Sequence, residues 1–335
     1  MATESGSLDL RLNTQQTITM MLEPIFTDGL LADSFSIVKN FYGGEYAIGL
    51  LGAMRNVTGK QQACSPKYKG AATLSERKLI ANYLEAGAVL CYEEFMRTHY
   101  DYLAPLYTTA QGTPNLTQLV NILITLLGDG IRRDVERVAW FGNSASTDEN
   151  INFADGVFKY IDDLITTTQI GYRVNSTQGT LLTDQQAYEL LQDVVQNATS
   201  ALKRYNRADK IIHISGNLWD QILRYLMDAS ISNGLIKIFE EPQGEMVGTF
   251  MGIKVLAHYN WDDISFEYFG LEHQNKIIYT VKSNLIMGTD LRADALGGQA
   301  FFKTYQDPKT DEIFMSSKFI LAVNYVWPEL FSVAF

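Results

Sequence analysis

The feature that most restricts how this chain can fold is one long amphipathic run, Thr113 to Asn143, with the sequence TPNLTQLVNILITLLGDGIRRDVERVAWFGN. Leu116, Leu119, Val120, Leu123, Leu126, Leu127, Ile131, Val135 and Val138 recur at three- and four-residue spacing, the repeat of one buried helix face. Thr113 suits the N-cap, and Pro114 suits the first helical position, where its missing N–H has no intrahelical partner to lose. Helical from Pro114 to Trp140, the segment is a rod of about 40 Å at about 1.5 Å per residue. Such a rod needs a large apolar partner surface, which the rest of the chain must supply.

The chain has room for that surface. Its 335 residues suit two or three subdomains better than one core, and 46% apolar against 19% charged residues disfavours disorder. The 27 Lys and Arg against 38 Asp and Glu give a formal charge of -11, which argues against tight, phosphate-driven nucleic-acid binding. Cys64 and Cys91 are too few for a disulfide framework and lack metal-ligand spacing. The N-terminal MATESGSLDLRLN carries acidic residues where an export signal has basic ones, and no run approaches the ~18 apolar residues of a membrane span.

Along the chain, residues 1–40 hold short apolar patches without a sustained period and read as an arm. Residues 41–76 include FYGGEYAIGLLGAMRNVTGKQQACSPKYKGAA, rich in Gly and punctuated by basic residues, which reads as a long hairpin loop. From Thr73 the spacing of Ile80, Tyr83, Leu84, Ala88 and Cys91 to Phe95 predicts a helix, with Cys91 in the core. After the long helix, VFKYIDDLITT predicts a short helix, and Thr183 to Gln186 forms a T-x-x-Q capping box. The strand IIHIS at 211–215 and a helix from Ser215 follow. Strands are expected at MVGTFMGIKVLAH, ISFEYFG and KIIYTV, with turns at Asn260–Asp263 and His273–Asn275. The chain closes on a hairpin, AFFKTYQ and EIFMSSKFILAVNYV around Asp307-Pro308-Lys309-Thr310-Asp311, which is expected to pack along the long helix.

Chemical motifs are scarce. No phosphate-binding loop, dinucleotide fingerprint, nucleophile elbow or C-x-x-C occurs in the sequence. The best metal group is His258, Asp262, Asp263 and His273, which could converge across a hairpin and would make the chain a metal-dependent α/β enzyme. The doublets Glu93-Glu94, Asp162-Asp163 and Glu240-Glu241 read as solvated faces. Trp140 and Trp219 fit helix faces and the core, whereas Trp261 in a turn and Trp327 before Pro328 are candidate interface aromatics. No cofactor is expected.

In this order, arm, hairpin loop, long helix, α/β insert and closing hairpin, the chain resembles the major capsid proteins of tailed phages with the Hong Kong 97-type fold. ERVAWFGNSA at 136–145 and NFADGVFKYI at 152–161 resemble the end of that family's spine helix and the entry to its next segment. KIIHISGNLWDQILRYL at 210–226 is similar to the strand and helix of its axial domain. FMGIKVLAH at 250–258, NLIMGTDL at 284–291 and KFILAVNYVWPEL at 318–330 look like the strands that return to its peripheral domain. The likeness is greatest to capsid proteins of phages of Bacteroidetes-type hosts.

The resemblance implies an α+β fold: an N-terminal arm over 1–40, an extended loop over 41–76, a peripheral domain of 77–150 and 283–335 with a spine helix at 114–140, and an axial domain over 151–282. It further implies self-assembly into pentamers and hexamers of an icosahedral virion shell around double-stranded DNA, contacted non-specifically, with assembly in the host cytoplasm and no membrane. Portal, scaffolding and decoration proteins are the implied partners. Tyr46, Met54, Arg55, Lys60 and Tyr68 in the loop, with Trp261 and Trp327, are the candidate assembly contacts. An encapsulin-like compartment shell is the same-fold alternative.

Overall fold

In a computed structural model of the chain, the structure describes residues 9–11, 25–26, 29–39, 41, 44–51, 74–91, 116–176, 182–228, 236–240, 246–270, 274–290, 302–307, 309–310 and 312–335. The first half contains β1 (Asp9–Arg11), α1 (Leu30–Ser34), β2 (Ser36–Val38), β3 (Glu45–Leu51), β4 (Leu74–Ile80), β5 (Asn82–Cys91), α2 (Leu116–Phe141) and α3 (Val157–Thr166). Then come β6 (Tyr172–Val174), α4 (Asp184–Gln196), α5 (Ser200–Lys203), β7 (Lys210–Ser215), α6 (Gly216–Asp228), β8 (Ile236–Glu240), β9 (Met246–Phe250) and β10 (Ile253–His258). The last part holds α7 (Tyr259–Phe269), β11 (Ile277–Val281), β12 (Leu285–Gly288), β13 (Phe302–Asp307), β14 (Glu312–Tyr325) and β15 (Ser332–Ala334).

The spacing that predicts the long helix is the spacing that buries it. Ile124, Leu127, Ile131, Val135 and Val138 of α2 share one core with Ile313, Met315, Phe319, Leu321 and Val323 of β14. The alternate residues of β14 therefore point at the helix, as one face of a strand must. Leu126, expected on that face, is exposed. Thr113 and Pro114 lie outside the described residues.

β14 organises a small sheet ordered β1-β13-β14-β12-β2, with β5 pairing β14 along its other edge. Here the sequence reading of Thr73 to Phe95 is overturned: residues 74–91 form β4 and β5. Burial alternates strictly along β5. Leu84, Ala86, Ala88 and Leu90 pack inward while Tyr83 and Val89 face out. Leu84 and Ala88 lie four apart and satisfy a helical spacing, but they equally satisfy a period of two, and pairing with β14 decides. Cys91, expected in the core, is exposed at the strand's end.

The region read as an arm is partly built into this body. Ile25, Phe26, Leu31 and Phe35 are buried in the core of α2 and β14. β1 pairs antiparallel with β13, and β2 pairs parallel with β12.

A second, seven-stranded sheet runs β6-β15-β11-β7-β10-β9-β8. β7 lies between β11 and β10 and is buried at every residue, which is why IIHIS is a continuous apolar run and not an alternating one. One face carries Ile212, Ile214, Ile277, Tyr279 and Val255 against α4 and α6, whose Leu191, Val194, Leu218, Trp219 and Ile222 complete that core. The capping box at the start of α4 forms: Gln186 N–H donates to Thr183 Oγ1 at 3.3 Å, and Thr183 N–H donates to Gln186 Oε1 at 2.9 Å. On the other face, Ile278 and Val333 join α2, α3 and α7. The strand expected at ISFEYFG and the turn at Asn260–Asp263 are instead the helix α7. The final strand, grouped by sequence with 283–335, pairs with β11 and β6 of this sheet.

Gly142 and Gly156 bring α2 and α3 together. Gly156 N–H donates to Gly142 O at 2.8 Å, and a Cβ on Gly142 would stand 2.3 Å from Ala154 O. Only a residue without a side chain permits this backbone contact, so the chain turns back sharply on leaving the long helix.

Candidate assembly surfaces

The β3–β4 ribbon is a two-stranded sheet with no partner strand on either edge among the described residues. An isolated ribbon of that kind is marginal in water, and its base is fastened accordingly. Leu79 is fully buried with Phe41, Ile320 and Ala322, and Ile48 packs on them. The Arg77 guanidinium lies 3.9 Å from the centre of the Tyr325 ring, and Asn324 Nδ2 donates to Lys78 O at 2.8 Å. Lys78 and Glu45 pair across the strands at 2.9 Å, with both side chains more than half exposed.

Of the candidate contacts, Tyr46 is on β3 opposite Leu79 and is 40% exposed. Met54, Arg55, Lys60 and Tyr68 lie outside the described residues. Trp261 is a correction. It is 1% exposed, because α7 turns its ring inward to stack on His258 at 4.3 Å, so it cannot meet another subunit. Trp327 is half-buried against the α4–α6 core, and its N–H donates to Asn284 Oδ1 at 2.7 Å.

The outer face of the small sheet has an apolar row that sequence reading did not isolate. Strand register aligns Tyr305 of β13, Phe314 of β14 and Val89 of β5. The Tyr305 and Phe314 rings stack at 5.0 Å, and Tyr305 and Val89 are more than half exposed. Tyr83, 65% exposed, lies further along the same face of β5. The signal was present as alternation in β5 and β14, but only the cross-strand register unites the residues.

Among the described residues the metal group expected from sequence is not brought together. His258 is fully buried and its Nε2 is 3.0 Å from His213 Nδ1. Asp262 faces elsewhere and accepts from Asn217 N–H at 2.9 Å; burial pushes its carboxyl up to about 6 against the opposing effect of that hydrogen bond. His273 lies outside the described residues. His258 Nδ1 is 3.8 Å from Glu136 Oε1, while Glu136 Oε2 accepts from Asn260 Nδ2 at 2.8 Å. Burial lowers both imidazoles, His258 to about 3, and raises Glu136. Trp140 closes this cluster, with its ring centre 5.0 Å from His213 and 5.1 Å from His258. A histidine inside the apolar run IIHIS and a Glu beside Val135 were its traces in the sequence. Among the described residues no helix is long and apolar enough to cross a membrane.

No protein-family model matches the sequence, and no curated protein matches it. Solved structures do match in shape. The satellite phage P4 procapsid that includes the size determination (Sid) protein aligns at a TM-score of 0.52 and 11% identity, over 93% of this chain and 96% of that one. Gordonia phage Cozz aligns at 0.53 and 10% identity, over 90% of this chain and 84% of that one. The capsid of an empty GTA particle aligns at 0.50 and 10% identity, covering 92% and 91%. Aligned with these structures over nine-tenths of its length, the chain has the Hong Kong 97-type fold of phage capsid proteins.

Proposed function

We propose that the chain is a major capsid protein, a shell subunit that self-assembles into the pentamers and hexamers of an icosahedral virion head enclosing double-stranded DNA. The observation that carries this reading is the fold, matched over 93% of this chain and 96% of the P4 procapsid chain. Two features of the molecule support it. The β3–β4 ribbon is anchored through Leu79 and has no partner strand on either edge among the described residues, and the small sheet presents the Tyr305, Phe314 and Val89 row on its outer face. Both are surfaces that symmetric neighbours would cover, many modest interfaces being summed over the shell. The charge of -11 suits a wall that must contain DNA without adhering to it. In this reading Tyr46 and the loop residues Met54, Arg55, Lys60 and Tyr68 are contacts to a neighbour, and portal, scaffolding and decoration proteins are further partners. Electron microscopy of the purified protein, alone and with its scaffolding partner, tests this. Closed particles or capsomer rings are expected, and a persistent small monomer under both conditions would overturn it.

A further inference from the structure

The seam between α2 and the seven-stranded sheet contains ionisable side chains that no assembly surface uses. Glu136 comes from α2, His213 from β7, His258 from the end of β10 and Asn260 from α7, so four elements meet there. Glu136, His213 and His258 are each more than nine-tenths buried. Glu136 Oε1, His258 Nδ1 and His213 Nε2 make no hydrogen bond. The 3.8 Å approach of His258 Nδ1 to Glu136 Oε1 favours one arrangement of protons along the His258–His213 contact. A proton on His258 Nδ1 faces the Glu136 carboxyl, which leaves His258 Nε2 to accept from His213 Nδ1–H. The result is a chain of three groups, Glu136, His258 and His213, with room for one more proton on the last imidazole. Its outer end reaches solvent: Glu136 also lines an open cleft of about 260 Å³ with Arg133, Asp263 and Glu267.

We propose that Glu136, His258 and His213 form a proton-sensing latch, which on protonation in mildly acidic solution loosens α2 and α7 from the sheet while the α4–α6 core on the opposite face stays closed. A charged His213 would be fully buried, with the Glu136 carboxyl one ring away, beyond His258. The other charges make protonation harder. Lys254 and Lys282 bear on His213, and both pair with Asp33 of α1, which offsets part of their field. Arg132, one turn before Glu136 on α2, favours the ionised carboxylate.

The sign follows from which state binds more protons. Both imidazoles titrate lower in the closed seam than the ordinary 6.5, so the open state takes up protons first. The closed seam is therefore fully favoured above pH 6.5 and loses ground as pH falls below it. Glu136 acts oppositely, since its raised value favours the closed state as acid neutralises it near the ordinary carboxyl range. The imidazoles govern the window from about 6.5 to about 5. If both rings protonate on opening, two protons move the opening equilibrium by up to about 100-fold per pH unit.

The test uses the full chain as soluble subunit, so it stands apart from shell formation. Hydrogen exchange is measured at pH 7.0 and 5.5, corrected for intrinsic rates. Residues 131–141 and 259–269 are expected to lose protection by up to about 100-fold, while 187–195 and 218–226 keep theirs. The double variant His213→Gln, His258→Gln should remove that dependence. Unchanged protection at the seam, equal loss in both cores, or a double variant with wild-type pH dependence would overturn the proposal. Should the variant fail to fold, imidazole resonances of the wild type decide. Rings that protonate in the same pH interval as the loss of protection support the latch, and rings that remain neutral through it overturn it.

Discussion

Two ribbons in this protein have similar chemistry and opposite circumstances. β13–β14 and β3–β4 are both antiparallel and both apolar on one side. β14 has β5 and β12 beside it and α2 beneath it, so seven of its residues at alternate positions are buried in the core. Among the described residues β3–β4 has no third strand, and its buried contact is at its base, through Leu79, Phe41 and Ile320. The difference shows that strand alternation specifies which way side chains point, not what they point at. Coverage is supplied by the long helix in one case, and in the other no described element of the chain supplies it.

Substitutions in the two ribbons should separate their roles. Phe319→Ala in β14 removes a buried ring from the α2 core and should cost about 3–5 kcal/mol, read as a lower midpoint in denaturant unfolding of the soluble subunit. Arg77→Ala at the ribbon base removes the guanidinium over Tyr325 and should cost about 0.5–1 kcal/mol; a loss as large as that of Phe319→Ala would make the base part of the main core. The smallest effect on stability is expected from replacing residues 52–73 by Asn-Gly. Leu51 and Leu74 are register partners, and a two-residue turn joins strands so paired. The melting temperature should stay within a degree or two of wild type while closed particles no longer form. Normal shells from that variant would remove the loop from assembly and erase the contrast between the ribbons.

What the sequence revealed depended on how local the cause was. The capping box of Thr183 and Gln186 needs only four residues and was legible, as were the buried face of α2, the apolar run of β7 and the alternation of β14. Residues 82–91 were misread because Leu84 and Ala88 satisfy two periods, and the partner that chooses between them lies more than 220 positions away on β14. α7 was misread because its aromatic residues and Asp262-Asp263 favour strand and turn locally. Only the burial of Trp261 and Ser265 against the rest of the chain makes it a helix. The proton chain joins residues 136, 213 and 258, whose proximity no local pattern encodes. The assembly surfaces were legible as a tendency, in Gly-rich and exposed apolar stretches, but not as residues, because register and burial choose them.

β15 gives this molecule a clock. It lies between β6 and β11, one strand in from the edge of the large sheet, so β6 has no strand to join and β11 keeps an open edge until residues 332–334 arrive. During synthesis the strands that flank β15 leave the ribosome first and must wait, with β11 and β6 carrying unpaired backbone edges. A subunit therefore reaches its final shape only once those residues are free, and fragments stopped short of Ser332 carry open sheet edges.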